Sequence, residues 1–236
     1  MPTVSECQKW HEQSYESGGF SAQRRYPNEE LLRFFGRNYF RIPQVKRGDI
    51  RVLELGCGSG ANLWMVAREG FDAHGIDFSE SAIGLADRMQ GHWWVKFKAR
   101  HGDMAAIDAP DKSFDVVYDV FSAYCLSTRD FRKCLDEVRR VLKPGGRFFS
   151  YYPSKGSQMF READHAQMLD DSTLNGVPDG GPFSGNTYPF RFIDTLEYKR
   201  ELEQRGFMVP YLEKVGRTYG GTNNYFEFVV IEGERC

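Results

Sequence analysis

The sequence predicts an α/β fold: a seven-stranded, mostly parallel sheet with an antiparallel C-terminal hairpin and helices on both faces. Three observations lead there. From about residue 50, short apolar runs alternate with stretches of helical periodicity. A glycine turn, Gly56 to Gly60, lies where the first such run gives way to a helix, and two β-rich segments close the chain around Gly220-Gly221-Thr222-Asn223-Asn224. A length of 236 residues fits one domain with a lid better than two equal domains.

Taken in order, Asp49 to Leu55 reads as a buried strand, and the helix after the glycine turn runs from about Ala61 to Glu69, stopped by Gly70. Phe71 to Ile76 is the second strand. Asp77, Ser79 and Ser81 precede a helix reaching about Gln90, then Val95 to Arg100 and Phe114 to Tyr118 give the third and fourth strands. Asp130 to Leu142 places Phe131, Cys134, Leu135, Val138, Val141 and Leu142 at helical spacing, Lys143-Pro144-Gly145-Gly146 ends it, and Arg147 to Tyr152 is the fifth strand. From Pro153 to Arg191 the pattern breaks down into loop chemistry with one helical candidate, Ser157 to Leu169. A helix at Asp194 to Arg205 leads into the final strands, Phe207 to Val215 and Tyr225 to Ile231. The reading is one domain in four parts: an N-terminal cap at 1–45, a core at 46–152, an acceptor-side insertion at 153–192, and a C-terminal helix and hairpin at 193–236.

Composition narrows the function classes. Lys and Arg number 31 against 33 Asp and Glu, a net charge of −2, which argues against an electrostatically driven nucleic-acid or anionic-membrane binder. No apolar run approaches the roughly 18 residues of a membrane span, and Glu6, Lys9, Glu12 and Glu16 interrupt the start, so a cytoplasmic protein is expected. Five cysteines without a C-x-x-C pair are expected as free thiols, with no metal site. Oligomeric state is not encoded in any feature.

The strongest local signal is Glu54-Leu55-Gly56-Cys57-Gly58-Ser59-Gly60-Ala61, followed by Asp77, 21 residues after Gly56. Small residues let a ligand approach the backbone, the helix N-terminus offers unpaired N–H groups, and an acid at that distance accepts from a ribose diol. Spelling alone also fits a dinucleotide fingerprint. An acid such as Glu54 before the loop suits a ligand ammonium and repels a pyrophosphate.

These residues, with Gly75-Ile76-Asp77-Phe78-Ser79, Gly102-Asp103-Met104, Phe114-Asp115-Val116-Val117-Tyr118 and Leu142-Lys143-Pro144-Gly145-Gly146, are in the order and spacing of one family. Over Asp49 to Tyr152 the chain resembles the class I S-adenosylmethionine-dependent methyltransferases, small-molecule type. The resemblance implies a Rossmann-like sheet, S-adenosylmethionine as methyl donor and S-adenosylhomocysteine as product. It implies that the Gly56, Cys57, Gly58 and Gly60 loop packs under the methionine portion. Asp77 would hold both ribose hydroxyls, Phe78 and Met104 flank the adenine, Asp103 accept from its amino group, and Glu54 contact the ammonium directly or through water. Tyr15, Asn62, Gly102 and Asp119 complete the implied cofactor set; Trp10 and Tyr15 resemble an aromatic pair that closes over the cofactor in some members.

The acceptor is read less sharply. Asp119-Val120-Phe121-Ser122 after the fourth strand lacks the Asn-Pro-Pro-Tyr type of motif, which disfavours amino methylation of DNA, and Tyr124 stands where a proline precedes the covalent cysteine of pyrimidine C5 enzymes. A small molecule or sugar is the expected acceptor, methylated on oxygen or nitrogen by in-line displacement. Among the histidines, His74, His92 and His101 read as packing or surface residues. His165 in the insertion is the leading base, with Tyr124 and Asp119 at the strand end as alternatives and His11 in the cap as the second histidine candidate. Arg24-Arg25 can present guanidinium groups to an acidic ligand. An S-adenosylmethionine-binding regulatory protein, or an NAD-dependent oxidoreductase, remains the alternative reading.

Overall fold

The computed structural model describes residues 6–177, 183, 185–221 and 223–236. Residues 1–5 of the expected cap, 178–182 and 184 of the insertion, and Thr222 of the hairpin turn lie outside the described residues. The chain opens with helices α1 (Glu6–Gly18) and α2 (Glu29–Asn38), the second started by Asn28, whose side-chain oxygen accepts from the N–H groups of Glu30 and Leu31. Then come β1 (Arg51–Leu55), α3 (Leu63–Arg68), β2 (Asp72–Asp77), α4 (Glu80–Trp93), β3 (Lys98–His101), β4 (Phe114–Val120), α5 (Thr128–Val141) and β5 (Leu142–Pro153). The insertion holds a one-turn helix α6 (Gln158–Arg161) and strands β6 (Met168–Asp170), β7 (Thr173–Asn175) and β8 (Pro189–Arg191). Helix α7 (Thr195–Glu203), β9 (Phe207–Tyr219) and β10 (Asn224–Arg235) end the chain.

Seven strands form one sheet in the order β3-β2-β1-β4-β5-β10-β9, and β10 runs antiparallel to both of its neighbours while β1 to β5 are parallel. Strand order reverses between β1 and β4. At such a switch point the connections leave in opposite directions, and a crevice opens beyond the carboxyl ends. Register sets Leu55 of β1 opposite Asp119 of β4, so both strands end level at that crevice.

Helix α2 is amphipathic because it buries Leu31, Phe34 and Phe35; Phe34 stacks on Phe149 of β5 with ring centroids 4.9 Å apart. Helix α5 likewise buries Phe131, Cys134, Leu135, Val138 and Val141, the apolar stripe read from the sequence. Strand β10 is buried along most of its length, as an interior strand must be, while edge strand β9 is largely half-exposed.

The expected helix at Ser157 to Leu169 does not form. It stops after Arg161, and Asp164 starts a separate 3-10 turn at His165–Gln167, its backbone N–H donating to the Gln167 side chain at 3.0 Å. Aspartate competes for backbone donors in this way and favours a cap over a helix interior. Beyond it β6, β7 and β8 pair as a small antiparallel sheet, in place of the expected loop.

Candidate active site

At the crevice β1 turns through Gly56, which adopts φ +61°, into the loop before α3. A methyl group there would lie 2.3 Å from Ser122 Cβ, so only glycine lets the two strand ends come this close. Ser122 follows β4, and its hydroxyl donates to the Leu55 carbonyl at 2.7 Å, closing the crevice floor. Phe121 beside it holds φ +56°, unusual for a bulky residue, and its ring packs on Tyr124 and Phe183 with centroids 4.6 and 4.8 Å apart. The strain sits on the wall of a cavity of about 710 Å³, part of it open to solvent.

One side of that cavity is Gly56, Ile76, Asp77, Phe78, Gly102, Asp103, Met104 and Tyr15; the other is Cys7, Gln8, His11, Phe121, Ser122, Tyr124, Cys125 and Leu126. Asp77 ends β2 almost buried. Its Oδ2 accepts from the Gly58 N–H at 2.8 Å and its Oδ1 from the Ser79 N–H at 3.0 Å, leaving each oxygen a further lone pair. Burial pushes this carboxyl up and the two N–H donors pull it back. Asp103 is exposed, accepting from the Ala105 N–H at 2.8 Å, and Met104 beside it is buried.

Helix α1 roofs the site. Its Glu12 accepts from the Ser81 N–H at the start of α4, and Tyr15 lies over the glycine loop, where a Cβ on Gly58 would meet its hydroxyl at 2.7 Å. Burial pushes the Tyr15 hydroxyl far up, so it acts as a hydrogen-bond donor. Trp10 lines no part of the cavity and packs edge-on against Tyr188 of the insertion, centroids 5.2 Å apart.

Several sequence-expected residues are not brought to the cavity. His165 is exposed on its 3-10 turn and lines no part of the cavity, so it is not positioned as a base. His11, the second histidine candidate, is in the wall. Asp119 is fully buried: Oδ1 accepts from the Ser122 and Ala123 N–H groups at 3.0 Å each and shares the Ser122 hydroxyl proton with the Leu55 carbonyl, and Oδ2 accepts from the Ser150 hydroxyl at 2.9 Å. It clamps the turn that carries Ser122 to Tyr124 and lines no part of the cavity. Asp119→Asn, which keeps Oδ1, is expected to cost about 1–2 kcal/mol of stability while a folded sample still binds S-adenosylhomocysteine. Chemical denaturation and calorimetry on the same preparation check both. Tyr124 is in the wall, but its hydroxyl pairs with that of Tyr188 at 2.7 Å and burial drives it up, which makes it a donor and a poor base.

Glu54, Cys57, Gly58, Gly60 and Asn62 likewise lie outside the cavity lining. Glu54 Oε1 accepts from Asn62 Nδ2 at 2.6 Å and Oε2 from the Tyr118 hydroxyl at 3.1 Å. Asn62 Oδ1 in turn accepts from Arg24 Nη2 at 3.0 Å and the Asn28 N–H at 2.9 Å. This network ties the cap segment to α3. Sequence reasoning named Glu54, Asn62 and Arg24 separately; nothing in their spacing shows that they join.

Burial pushes the Glu54 carboxyl up to about 8, against the pull of Asn62, Arg24 and Tyr118. In the unfolded chain such a group titrates near ~4.3. The folded value is the higher, so the contribution of the protonated carboxyl to stability is complete below the unfolded value and lost as pH rises through about 8. Glu54→Gln has no proton to lose. Between roughly pH 6 and pH 8 its stability relative to the unmodified chain is expected to improve by on the order of 2 kcal/mol. Parallel denaturation midpoints across that range would contradict this.

Comparison with known proteins agrees with the geometry. The family model described as a methyltransferase domain matches residues 52–146, which run from β1 into β5. The chain is 34% identical over 127 residues to the phthiotriol/phenolphthiotriol dimycocerosates methyltransferase of Mycobacterium tuberculosis, across 52% of this chain and 43% of that protein. It is 33% identical over 133 residues to the fatty-acid O-methyltransferase of Mycolicibacterium smegmatis, across 53% of this chain and 47% of that one. The matched region thus spans less than half the length of these curated relatives. In fold, the chain is similar to a SAM-dependent methyltransferase of Methanosarcina mazei, with TM-score 0.68 and 20% identity over 78% of this chain and 92% of the other. Residues 52–146 thus match a methyltransferase domain, and the seven-stranded sheet built around them is similar in fold to S-adenosylmethionine-dependent methyltransferase structures.

Proposed function

We propose that the protein transfers a methyl group from S-adenosylmethionine to a small, largely apolar acceptor. The observation that carries this is one cavity at the switch point with two faces: Asp77, Phe78, Asp103 and Met104 beside the Gly56 turn, and an aromatic and thiol-lined face under α1. The first face fits the donor. Asp77 keeps an accepting lone pair on each oxygen for a ribose diol, Asp103 has accepting capacity beyond its bond to Ala105, and a Cβ at Gly56 would close the approach. When bound, the donor supplies an electrophilic methyl on a sulfonium. The chain's residues hold that methyl in line with a nucleophile and exclude water, which is where most of the acceleration in such a displacement arises.

The second face supports a small apolar acceptor: Phe121, Tyr124 and Leu126 line it, with Tyr188 and Phe183 behind. The lipid acceptors in the names of the two mycobacterial relatives fit that character. An acceptor already anionic at neutral pH, such as a carboxylate, needs alignment alone. The proposal includes a cytoplasmic site of action, in keeping with five free cysteines. Among the described residues no helix is long and apolar enough to cross a membrane.

The test is a transfer assay with methyl-labelled S-adenosylmethionine and a panel of carboxylated, hydroxylated and thiol-bearing small acceptors. Label in an acceptor, matched mole for mole by S-adenosylhomocysteine, is expected. Tight binding of both cofactor forms with no transfer to any class would favour the regulatory, cofactor-sensing alternative.

A further inference from the structure

Two cysteines and a histidine meet in the acceptor face of the cavity. Cys7 and His11 are four residues apart on α1, so they share one face of that helix. The 3-10 turn after β4 brings Cys125 to them from 114 residues away, its Sγ 3.7 Å from His11 Nε2. The three ligand atoms all lie within 4.8 Å of one another, and among the described residues no other cluster of His, Cys, Asp or Glu has this geometry. Cys7 is buried, His11 and Cys125 are half-buried, and all three line the cavity.

We propose that Cys7, His11 and Cys125 bind a thiophilic divalent cation of the zinc class, with a fourth position open to the cavity. A tetrahedral zinc with sulfur at ~2.3 Å and nitrogen at ~2.0 Å sets its ligand atoms ~3.5–3.8 Å apart. The Cys125–His11 separation of 3.7 Å already matches, and the remaining pairs need to close by at most ~1.3 Å, within reach of side-chain rotations. Two sulfurs and an imidazole select zinc over magnesium or calcium, which take oxygen. Binding releases two thiol protons to solvent, and the two thiolates cancel the charge of the cation, as this half-buried apolar wall requires. Three protein ligands and one vacancy is the arrangement of a reactive zinc, not of a structural one.

The acceptor role of the site rests on the methyl-transfer reading above. An acceptor thiol or ionisable hydroxyl entering the fourth position loses its proton to solvent and stays as an anion facing the methyl. Its lone pair forms the new bond to carbon, and the breaking carbon–sulfur bond leaves its electron pair on the sulfur of S-adenosylhomocysteine. With the cation bound, His11 is a ligand, and acidification of the acceptor passes to the metal.

The experiment uses the full chain, reduced and stripped with a chelator, titrated with zinc against a chromophoric chelator and, separately, with cobalt(II). One equivalent of zinc is expected, and cobalt should show an intense thiolate-to-metal charge-transfer band. Cys7→Ala and Cys125→Ala should each weaken zinc binding by about 10²-fold or more, the upper end of what losing an outer-shell partner costs. Cys236→Ala, at the exposed C-terminus, should bind zinc like the unmodified chain. Should a cysteine variant fail to fold, His11→Ala carries the test: it should keep the charge-transfer band and bind zinc more weakly. Binding well below one equivalent, no charge-transfer band, or unchanged affinity in the ligand variants would overturn the site. S-adenosylhomocysteine affinity is measured on the same metal-free sample. Its retention without zinc binding rejects the metal site alone; zinc binding without it upholds the metal site and rejects the transferase reading beneath the acceptor role.

Discussion

Asp77→Ala is expected to weaken S-adenosylmethionine and S-adenosylhomocysteine binding by roughly 1.5–3 kcal/mol, the range for hydrogen bonds to a charged group. That is about a 10- to 150-fold rise in Kd. The carboxylate does two things at once: it accepts from Gly58 and Ser79, shaping the glycine loop and the start of α4, and it keeps a lone pair on each oxygen toward the cavity. Alanine removes both roles, so a stability loss will accompany the binding loss. Asp77→Asn separates them. One amide oxygen still accepts from a backbone donor and the side chain still fills its place, while the paired acceptor needed for a vicinal diol is gone. A folded Asp77→Asn sample with unchanged affinity, read by calorimetry alongside a melting curve, would remove Asp77 from the binding site.

Gly56→Ala is the more damaging change. The residue has φ +61°, where a side chain costs about 1–3 kcal/mol, and the added Cβ would lie 2.3 Å from Ser122 Cβ and 2.6 Å from Ser122 Oγ. Ser122 cannot simply rotate away, because its hydroxyl joins Leu55 to Asp119 and its N–H is held by the same carboxylate. Overpacking of this kind adds about 1–3 kcal/mol, so a total loss of roughly 3 kcal/mol or more is expected. Whatever population stays folded will have the β1 and β4 ends pushed apart, and cofactor binding should fall with it. A variant with wild-type stability would show that the two strand ends are not locked together.

The core was legible because each of its strands is a short apolar run bounded by turn residues, and each helix shows a stripe. Boundaries moved by a few residues: the third strand begins at Lys98 instead of Val95, and the fifth reaches back to Leu142 through the Pro144-Gly145-Gly146 turn. The insertion was not legible. Strands β6, β7 and β8 have three residues each, too short for any periodicity, and the apparent helix across 157–169 is cut by the preference of Asp164 for a cap.

The site divides in the same way. Gly56, Asp77, Phe78, Asp103 and Met104 could be named because they follow strand ends in fixed order, and the structure brings them into one cavity. Residues whose role depends on a distant partner could not. Asp119 looks like a strand-end general base until Ser122, Ala123 and Ser150 are seen to donate to its two oxygens. His11 and Cys7 carry a visible four-residue spacing, but the third member of their cluster lies in another segment, and a count of cysteines without C-x-x-C pairs does not find it.

Methyl transfer by this chain rests on S-adenosylmethionine binding in the cavity between Asp77 and α1. Calorimetric titration of the purified full chain with S-adenosylhomocysteine, repeated in the presence of excess NAD, tests it most directly. Saturable one-to-one binding in the micromolar range, undisturbed by NAD, is expected. No heat of binding, or displacement by NAD at similar concentration, would contradict it.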